Sequence, residues 1–216
     1  MVKVAPSVLN ADFSKKEKWV KELEEARADR IHWDIMDNKY VPNTGVPKER
    51  IAELRPLTKM FFESHLMVEN PDSYVKEFSE LGNGLLTFHV ETVKSVKGMI
   101  KKISDFGMKT GICVNNLVPA KKIAPYLDNV DLVLVMSVEA GFGGQKFNEK
   151  ALQKIAFLQE KIDYEGLGCE IEVDGGINAQ TGLKGVASGA DVLVAGNYIF
   201  KHENGVQFAV EELKRL

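Results

Sequence analysis

Histidine and aspartate residues occur in the apolar segments of this sequence at spacings that allow joint chemistry. Residues 31–37 read Ile-His-Trp-Asp-Ile-Met-Asp. In a strand, side chains alternate between faces at about 3.3 Å per residue, so His32, Asp34 and Met36 share one face. The tips of His32 and Asp34 can then converge on a single divalent metal ion. A buried histidine held by its neighbouring aspartate is the alternative that this segment leaves open.

Short apolar segments alternate with amphipathic ones along the whole chain. The predicted strands are residues 3–7, 31–37, 60–67, 85–90, 110–114, 130–136, 170–174 and 191–195. The predicted helices are residues 14–27, 49–54, 70–82, 92–106, 119–127, 148–164, 178–189 and 205–216. Ser14, Asn70 and Asn178 stand at positions typical of helix N-caps.

This alternation predicts a parallel sheet with right-handed crossovers, and eight units allow the sheet to close. We therefore expect a single α/β domain, residues 1–216, folded as a (β/α)₈ TIM barrel. An open doubly wound sheet is the alternative. The Gly-x-Gly-x-x-Gly motif of dinucleotide-binding sheets does not follow the first strand.

Composition limits the classes of partner. The 28 basic and 31 acidic residues give a net charge of −3 and form no basic block, so nucleic acid is not expected. No apolar run reaches the roughly 20 residues needed to cross a membrane, and the N-terminus does not resemble a signal peptide, so we predict a cytoplasmic protein. Cys113 and Cys169 fall in strand-like segments and need no disulfide.

Active sites of such barrels lie at the carboxyl ends of the strands, where polar residues gather in this sequence. We predict a four-ligand site formed by His32, Asp34, His65 and Asp174. Mixed nitrogen and oxygen donors favour Zn²⁺ or Fe²⁺, with Mn²⁺ or Co²⁺ as alternatives, over Mg²⁺ and Ca²⁺. One ion per chain is expected.

The loops after strands seven and eight predict a phosphate site. They contain Gly175-Gly176 and Gly196-Asn197, and glycine lets backbone N–H groups approach an anion closely. Tight turns would explain either pair alone, but both stand where barrels of this kind bind phosphate.

A metal beside two carboxylates suits proton transfer on a keto sugar phosphate. The metal can stabilise an enediolate, while Asp34 and Asp174 exchange protons on its opposite faces, which is epimerisation. Met36, Met67 and Met136 would surround the intermediate with water-excluding sulfur, although ordinary core packing explains them equally well.

Several motifs together resemble the ribulose-phosphate 3-epimerase family from residue 5 to the final helix. The motifs are Ala-Pro-Ser-Val-Leu-Asn-Ala-Asp-Phe (5–13), His-Trp-Asp-Ile-Met-Asp (32–37), Val-Pro-Asn (41–43), His-Leu-Met (65–67), Met-Ser-Val-Glu (136–139), Gly-Phe-Gly-Gly-Gln (141–145), Glu-Val-Asp-Gly-Gly (172–176) and Val-Ala-Gly (194–196). The resemblance implies an enzyme that interconverts ribulose 5-phosphate and xylulose 5-phosphate in the pentose phosphate pathway, and that forms homo-oligomers.

The resemblance also implies roles for individual residues. The metal is held by the four ligands predicted above, Asp34 and Asp174 are the acid/base pair, and Ser7 contacts substrate. The substrate-binding set is Ser7, Met36, His65, Met67, Met136, Gly141, Phe142, Gly143, Gly144, Gly175, Gly176, Gly196 and Asn197. We expect residues 140–147 to form a lid.

Some positions depart from the family pattern at the substrate rim. They are Asn38, the segments 44–47 and 115–117, Ala140 and Asn197. Allulose-6-phosphate 3-epimerase, which acts on a ketohexose phosphate, is therefore kept as an alternative. A non-catalytic sugar-phosphate binder would lack a ligand or base, and a metal-free barrel decarboxylase or isomerase would need a lysine at a strand end; neither condition is met.

Overall fold

Eight parallel strands surround a central axis in the computed structural model, which describes residues 2–216. The strands are β1 (Lys3–Pro6), β2 (Arg30–Met36), β3 (Phe61–Met67), β4 (Leu85–His89), β5 (Lys109–Val114), β6 (Leu132–Met136), β7 (Glu170–Asp174) and β8 (Val192–Ala195). Hydrogen bonding follows the order β1-β8-β7-β6-β5-β4-β3-β2, and a bridge between Ser7 and His32 joins the two remaining edges. The predicted (β/α)₈ barrel is confirmed.

Helices cover the outside of the barrel between the strands. They are α1 (Lys16–Glu25), α2 (Glu49–Leu54), α3 (Val75–Glu80), α4 (Val96–Asp105), α5 (Lys150–Glu165), α6 (Ala179–Ala187), α7 (Asn197–Phe200) and α8 (Gly205–Lys214). The short α7 was not predicted. None of the helices among residues 2–216 combines the length and apolar character needed to cross a bilayer.

The α-helix predicted over residues 119–127 is wrong. Two 3-10 helices, Ala120–Lys122 and Ala124–Asn129, occupy this connection. Pro125 has no N–H to donate, and its ring would clash with the carbonyl four residues earlier, so an α-helix cannot continue through it.

Two of the predicted caps are also wrong. Asp12 rather than Ser14 forms the cap, accepting the Ser14 N–H at 3.1 Å, and a short 3-10 turn precedes α1. Asn70 makes no side-chain cap, and a 3-10 turn follows it before α3 begins. Asn178 caps α6 as predicted, and its reciprocal partner is Thr181.

Successive side chains of β2 point alternately into the main core and into the barrel interior. Ile31, Trp33 and Ile35 join the main core, where Trp33 meets the Phe62 ring at a centroid distance of 5.3 Å. His32 and Asp34 are also buried but belong to the barrel interior. The predicted faces of this strand are therefore correct.

Candidate metal centre and active-site cleft

Four side chains from three strands meet inside the carboxyl end of the barrel. His32 and Asp34 come from β2, His65 from β3 and Asp174 from β7, and one ligand atom of each lies within 4.8 Å of the others. The register of β2 and β3 sets Asp34 directly opposite His65. Asp174 is half-buried, whereas the other three are no more than 4% exposed. The structure thus brings the four predicted ligands together.

Two ring nitrogens in this cluster are available to a metal. His32 Nε2 lies 3.7 Å and His65 Nδ1 3.8 Å from Asp34 Oδ1. Both nitrogens are buried, and neither has a hydrogen-bond partner among residues 2–216. Because an unpaired buried nitrogen is costly, two of them facing the same carboxylate fit a bound cation well.

The other nitrogen of each imidazole is held by a second residue. His32 Nδ1 lies 2.9 Å from Glu63 Oε1, and Glu63 Oε2 accepts a 2.8 Å hydrogen bond from Arg30. His65 Nε2 lies 2.8 Å from Nε2 of His89. Contacts of this kind fix the orientation and tautomer of a histidine that binds a metal.

The two aspartates titrate in different ranges. Burial raises the pKa of Asp34, but its contacts with the His32 and His65 rings outweigh burial and hold the pKa well below its usual value. Burial, reinforced by the negative charge of Asp34, raises the pKa of Asp174 to about 7. Near neutral pH, therefore, Asp34 is ionised while Asp174 readily holds a proton.

The two histidines differ as well. Burial lowers the pKa of His32, but the Asp34 and Glu63 carboxylates outweigh it and raise the pKa well above the ordinary value. Burial lowers the pKa of His65 to about 4, against the opposing effect of Asp34. His65 is thus neutral, the form that a metal requires, and His32 must lose a proton to reach that form.

A cleft opens above this cluster. Asp34 and Asp174 lie in its floor, and Ser7 Oγ donates a 2.5 Å hydrogen bond to Asp34 Oδ2. All predicted substrate-binding residues line the cleft except His65, which is fully buried below the floor. Residues that were not predicted also line it, namely Leu9, Asn10, Val138, Glu139, Gln145, Ile177, Val194 and Tyr198.

Comparison with known proteins gives a consistent result. The Ribulose-phosphate 3 epimerase family matches residues 3–200 of the chain. Ribulose-phosphate 3-epimerase of Bacillus subtilis (strain 168) is 39% identical over 201 residues, which cover 93% of each protein. The enzyme of the same name from Methanocaldococcus jannaschii is 41% identical over 214 residues, covering 99% of this chain and 90% of that protein.

The chain belongs to the ribulose-phosphate 3-epimerase family. It is therefore an isomerase. A crystal structure of KGPDC from Streptococcus mutans shares the fold with a TM-score of 0.73 and 16% identity, covering 100% of this chain and 97% of that one. At that identity the likeness shows the barrel fold alone.

Two glycine loops of this epimerase are packed too closely to accept a side chain. A Cβ at Gly176, where φ is +61°, would lie 2.5 Å from the backbone N of Phe147. A Cβ at Gly144 would lie 2.6 Å from Nδ2 of Asn197. The loop after β6 therefore rests directly on the loops after β7 and β8, where the sequence predicts the phosphate site.

The predicted lid of this epimerase, residues 140–147, is held at both sides. Asn43 Nδ2 donates a 2.7 Å hydrogen bond to the Gly141 carbonyl, and Gln145 Nε2 bonds the carbonyls of Glu139 and Phe142 at 2.7 and 2.8 Å. Phe142 is 54% exposed at the tip of the loop. The loop is a compact turn beside the cleft, with an apolar side chain free to cover a ligand.

Several residues around the site of this epimerase were not predicted. Glu63 lies two residues before His65 on β3, and His89 ends β4, so strand alternation and the strand-end rule offered a signal for both. The sequence offered no such signal for Arg30 or Tyr40. Cys113 Sγ lies within 4.8 Å of ring nitrogens of His65 and His89, although Cys113 was expected only to pack.

Proposed function

We propose that this chain interconverts D-ribulose 5-phosphate and D-xylulose 5-phosphate at C3 by metal-dependent, two-base proton transfer. The observation that supports this most directly is the meeting of Asp34 and Asp174 at one point of the cleft floor, although they project from β2 and β7. Relatives named ribulose-phosphate 3-epimerase support the pentulose phosphate as substrate. No feature of the cleft favours the ketohexose alternative.

The two carboxyl groups are suited to opposite proton transfers. Asp34, with its low pKa, begins as the base that removes the C3 proton, and Asp174, with a pKa near 7, begins as the acid that returns a proton to the other face. The reverse reaction exchanges these roles. The Ser7 hydroxyl, which donates to Asp34 Oδ2, holds that carboxylate in place.

We further propose that His32, Asp34, His65 and Asp174 hold one divalent metal ion, Zn²⁺ or Fe²⁺ in preference to Mn²⁺ or Co²⁺. The unpaired nitrogens of His32 and His65 support this assignment. The bound ion would supply positive charge that stabilises the negative charge developing on the substrate oxygens.

The remaining wall residues exclude water and hold the phosphate. Met36, Met67 and Met136 are each at most 7% exposed and present apolar side chains to the cleft. We propose phosphate contacts from the glycine loops, including Gly196 and Asn197, because the first N–H groups of the α7 turn have no acceptor within the helix.

An isotope experiment tests the two-base mechanism. In deuterated water, the wild-type enzyme should place solvent deuterium at C3 of the product from the first turnover and leave little in recovered substrate. Internal return of the substrate C3 proton to the product, or label mainly in recovered substrate, would show that only one aspartate transfers protons.

Single substitutions assign each face. Asp174→Asn should stop epimerisation yet still exchange the C3 proton of the epimer served by Asp34, and Asp34→Asn should exchange only the other epimer. Metal content must be measured in both variants, because each also loses a ligand. Exchange of the same epimer by both variants would contradict the assignment.

Comparing kcat/KM for D-ribulose 5-phosphate and D-allulose 6-phosphate tests which of the two sugar phosphates is the preferred substrate.

A further inference from the structure

A buried chain of polar side chains runs away from His65 on the side opposite the metal ligands. His65 Nε2 lies 2.8 Å from His89 Nε2, and the two rings are nearly coplanar, at 19°. His89 Nδ1 lies 2.9 Å from the Tyr40 hydroxyl, which donates a 2.7 Å hydrogen bond to Glu91 Oε1. The chain passes from a fully buried ring to a carboxylate side chain that is 32% exposed at the barrel rim.

All the hydrogen bonds along this chain can be donated in the same direction, from His65 towards Glu91. If His65 keeps Nδ1 unprotonated, its ring proton is on Nε2 and is donated to His89 Nε2. The His89 proton is then on Nδ1 and is donated to the Tyr40 oxygen, which leaves the Tyr40 hydroxyl proton for Glu91. Every polar atom of the series except His65 Nδ1 then has a partner, and the series ends on a group that accepts only.

The opposite direction fails at its first step. If His89 donated to His65, the His65 proton would be on Nδ1, facing Asp34 in the metal position. Tyr40 would have to donate to His89, and Glu91 would then be left without the Tyr40 proton. Only one direction combines a free His65 Nδ1 with a fully paired series.

The backbone at Tyr40, near the far end of the series, is held by hydrogen bonds to Asp37. Asp37 Oδ1 accepts the backbone N–H groups of Lys39 and Tyr40 at 2.9 Å each, and Asp37 Oδ2 accepts that of Glu69 at 2.8 Å. The backbone carrying Tyr40 is thus tied to the loop after β3. A fixed Tyr40 can set the orientation of His89 rather than follow it.

We infer that His89 and Tyr40 are positioning residues, which with Glu91 hold His65 in the Nε2–H tautomer and so present its Nδ1 lone pair to the metal. This inference rests on the proposed metal site. It gives His65 an orienting partner of its own, as Glu63 is for His32. His89 and Tyr40 then act through His65 rather than on substrate.

Metal affinity measured by chelator competition tests the inference. His89→Phe removes the acceptor for His65 and should weaken Zn²⁺ binding by about 10- to 100-fold. His89→Gln, whose amide oxygen can accept the same proton, should restore most of that loss. Tyr40→Phe should weaken binding by about 2- to 10-fold, because Glu91 lies 3.3 Å from His89 Nδ1 and partly replaces the hydroxyl.

Tyr74→Phe is the matched control. It also removes a tyrosine hydroxyl near the carboxyl end of the barrel, but its ring packs on Phe78, away from the series. Its Zn²⁺ affinity should equal that of the wild-type protein. Equal affinity of wild type, Tyr40→Phe and His89→Phe would overturn the inference.

Ring ¹⁵N chemical shifts give a readout that does not depend on variants or on activity. We expect His65 to carry its proton on Nε2 and His89 on Nδ1, both in metal-free and in Zn²⁺-loaded wild-type protein. A proton on His89 Nε2 in either form would overturn the inference, whether or not metal binds. Failure of the wild-type protein to bind Zn²⁺ would instead overturn the metal assignment made under the proposed function.

Discussion

At the scale of single residues, the surroundings of a side chain decide its role more than its type does. Asp34 is buried and Asp174 is half-buried, but only Asp34 lies between two imidazoles. Burial, together with the charge of Asp34, raises the pKa of Asp174 to about 7, whereas the two imidazoles hold the pKa of Asp34 low. One residue type can thereby supply both the acid and the base of the proposed mechanism.

The raised pKa of His32 makes metal binding pH-dependent. The metal-free protein holds a proton on His32, and a metal ligand must be neutral, so binding should release about one proton from this ring. Above the pKa of about 7 at Asp174, affinity should rise about tenfold per pH unit over the range in which His32 of the metal-free protein is protonated. Calorimetry in buffers of different ionisation enthalpy counts the protons. Binding without proton release would contradict the assignment.

Glu63 should matter for both stability and metal binding. It is 1% exposed and bonds Arg30 and His32, so Glu63→Gln leaves a buried guanidinium partly uncompensated and should cost about 3–5 kcal/mol of unfolding free energy. Metal affinity should fall about 10- to 100-fold because the His32 ring loses its anionic partner. Denaturant unfolding and chelator competition measure the two effects.

Glu170→Gln is the control for Glu63→Gln. Glu170 also pairs with Arg30, at 2.8 Å, but its side chain is 29% exposed and does not contact His32. Loss of the Glu170 charge should lower the free energy of unfolding by about 1 kcal/mol or less and leave metal affinity unchanged. Equal metal loss in both variants would show that Glu63 acts through fold stability alone.

At the scale of elements, the loops after β6, β7 and β8 line the side of the cleft where we propose the phosphate site. They approach so closely that glycine is required at their contacts, as at Gly176 against the Phe147 backbone. Away from these contacts, the side chain of Phe142 is 54% exposed. We therefore expect the proposed phosphate contacts and the proposed closure of the cleft to depend on the same contact.

Gly176→Ala should impair substrate binding through that contact. The new Cβ would meet the Phe147 nitrogen at 2.5 Å, so the lid base or the phosphate loop must move. We expect KM for the sugar phosphate to rise about tenfold or more, a loss of about 1.4 kcal/mol. Gly166→Ala is the control, because φ there is also positive, at +66°, but no atom lies within 4 Å. A KM change shared by both variants would exclude the steric cause.

Substrate should protect the segment 140–147 from proteases. Its glycines allow movement, and the exposed Phe142 can fold over a bound ligand to exclude water. Limited proteolysis with and without a sugar-phosphate analogue, followed by mass spectrometry of the fragments, checks this. Equal cleavage in the two states would argue against a lid.

At the scale of the whole molecule, closure of the barrel creates the site. The metal candidates come from β2, β3 and β7, and the shorter way around the barrel from β2 to β7 crosses β1 and β8. The edge between β1 and β2 is joined by the Ser7–His32 bridge, at the level of the cluster. The homo-oligomeric state and the cytoplasmic location predicted from the sequence stay predictions.

Metal should therefore stabilise the entire barrel. At a free concentration about 100-fold above Kd it adds about 2.7 kcal/mol, which for a chain of this size raises Tm by about 5–10 °C. Differential scanning calorimetry with and without chelator measures the shift. His65→Gln should abolish it, whereas His202→Gln, at a histidine near Glu212 and outside the cluster, should retain it. A shift retained by His65→Gln would place the ion elsewhere.

The sequence by itself determined the eight strands, most of the helices between them, the pairing of His32 with Asp34 on one strand face, and the strand-end positions of His65 and Asp174. These predictions follow from hydrophobic periodicity, which is a local property of the sequence, and from the general rule that active sites of such barrels lie at the carboxyl ends of the strands. The family motifs extended them to a substrate contact of Ser7 and to phosphate contacts from Gly143 and Gly144, whereas the glycine loops after β7 and β8 were already predicted from the topology.

Only the tertiary structure decided how these residues act on one another. The split between the pKa values of Asp34 and Asp174, the Arg30–Glu63 support of His32 and the series through His89 and Tyr40 all join strands or loops that are distant in the chain. Periodicity places a side chain on a face but gives no distance to a residue on another strand. Barrel closure fixes those distances. It thereby fixes the burial and the hydrogen bonds that determine which atom carries each proton.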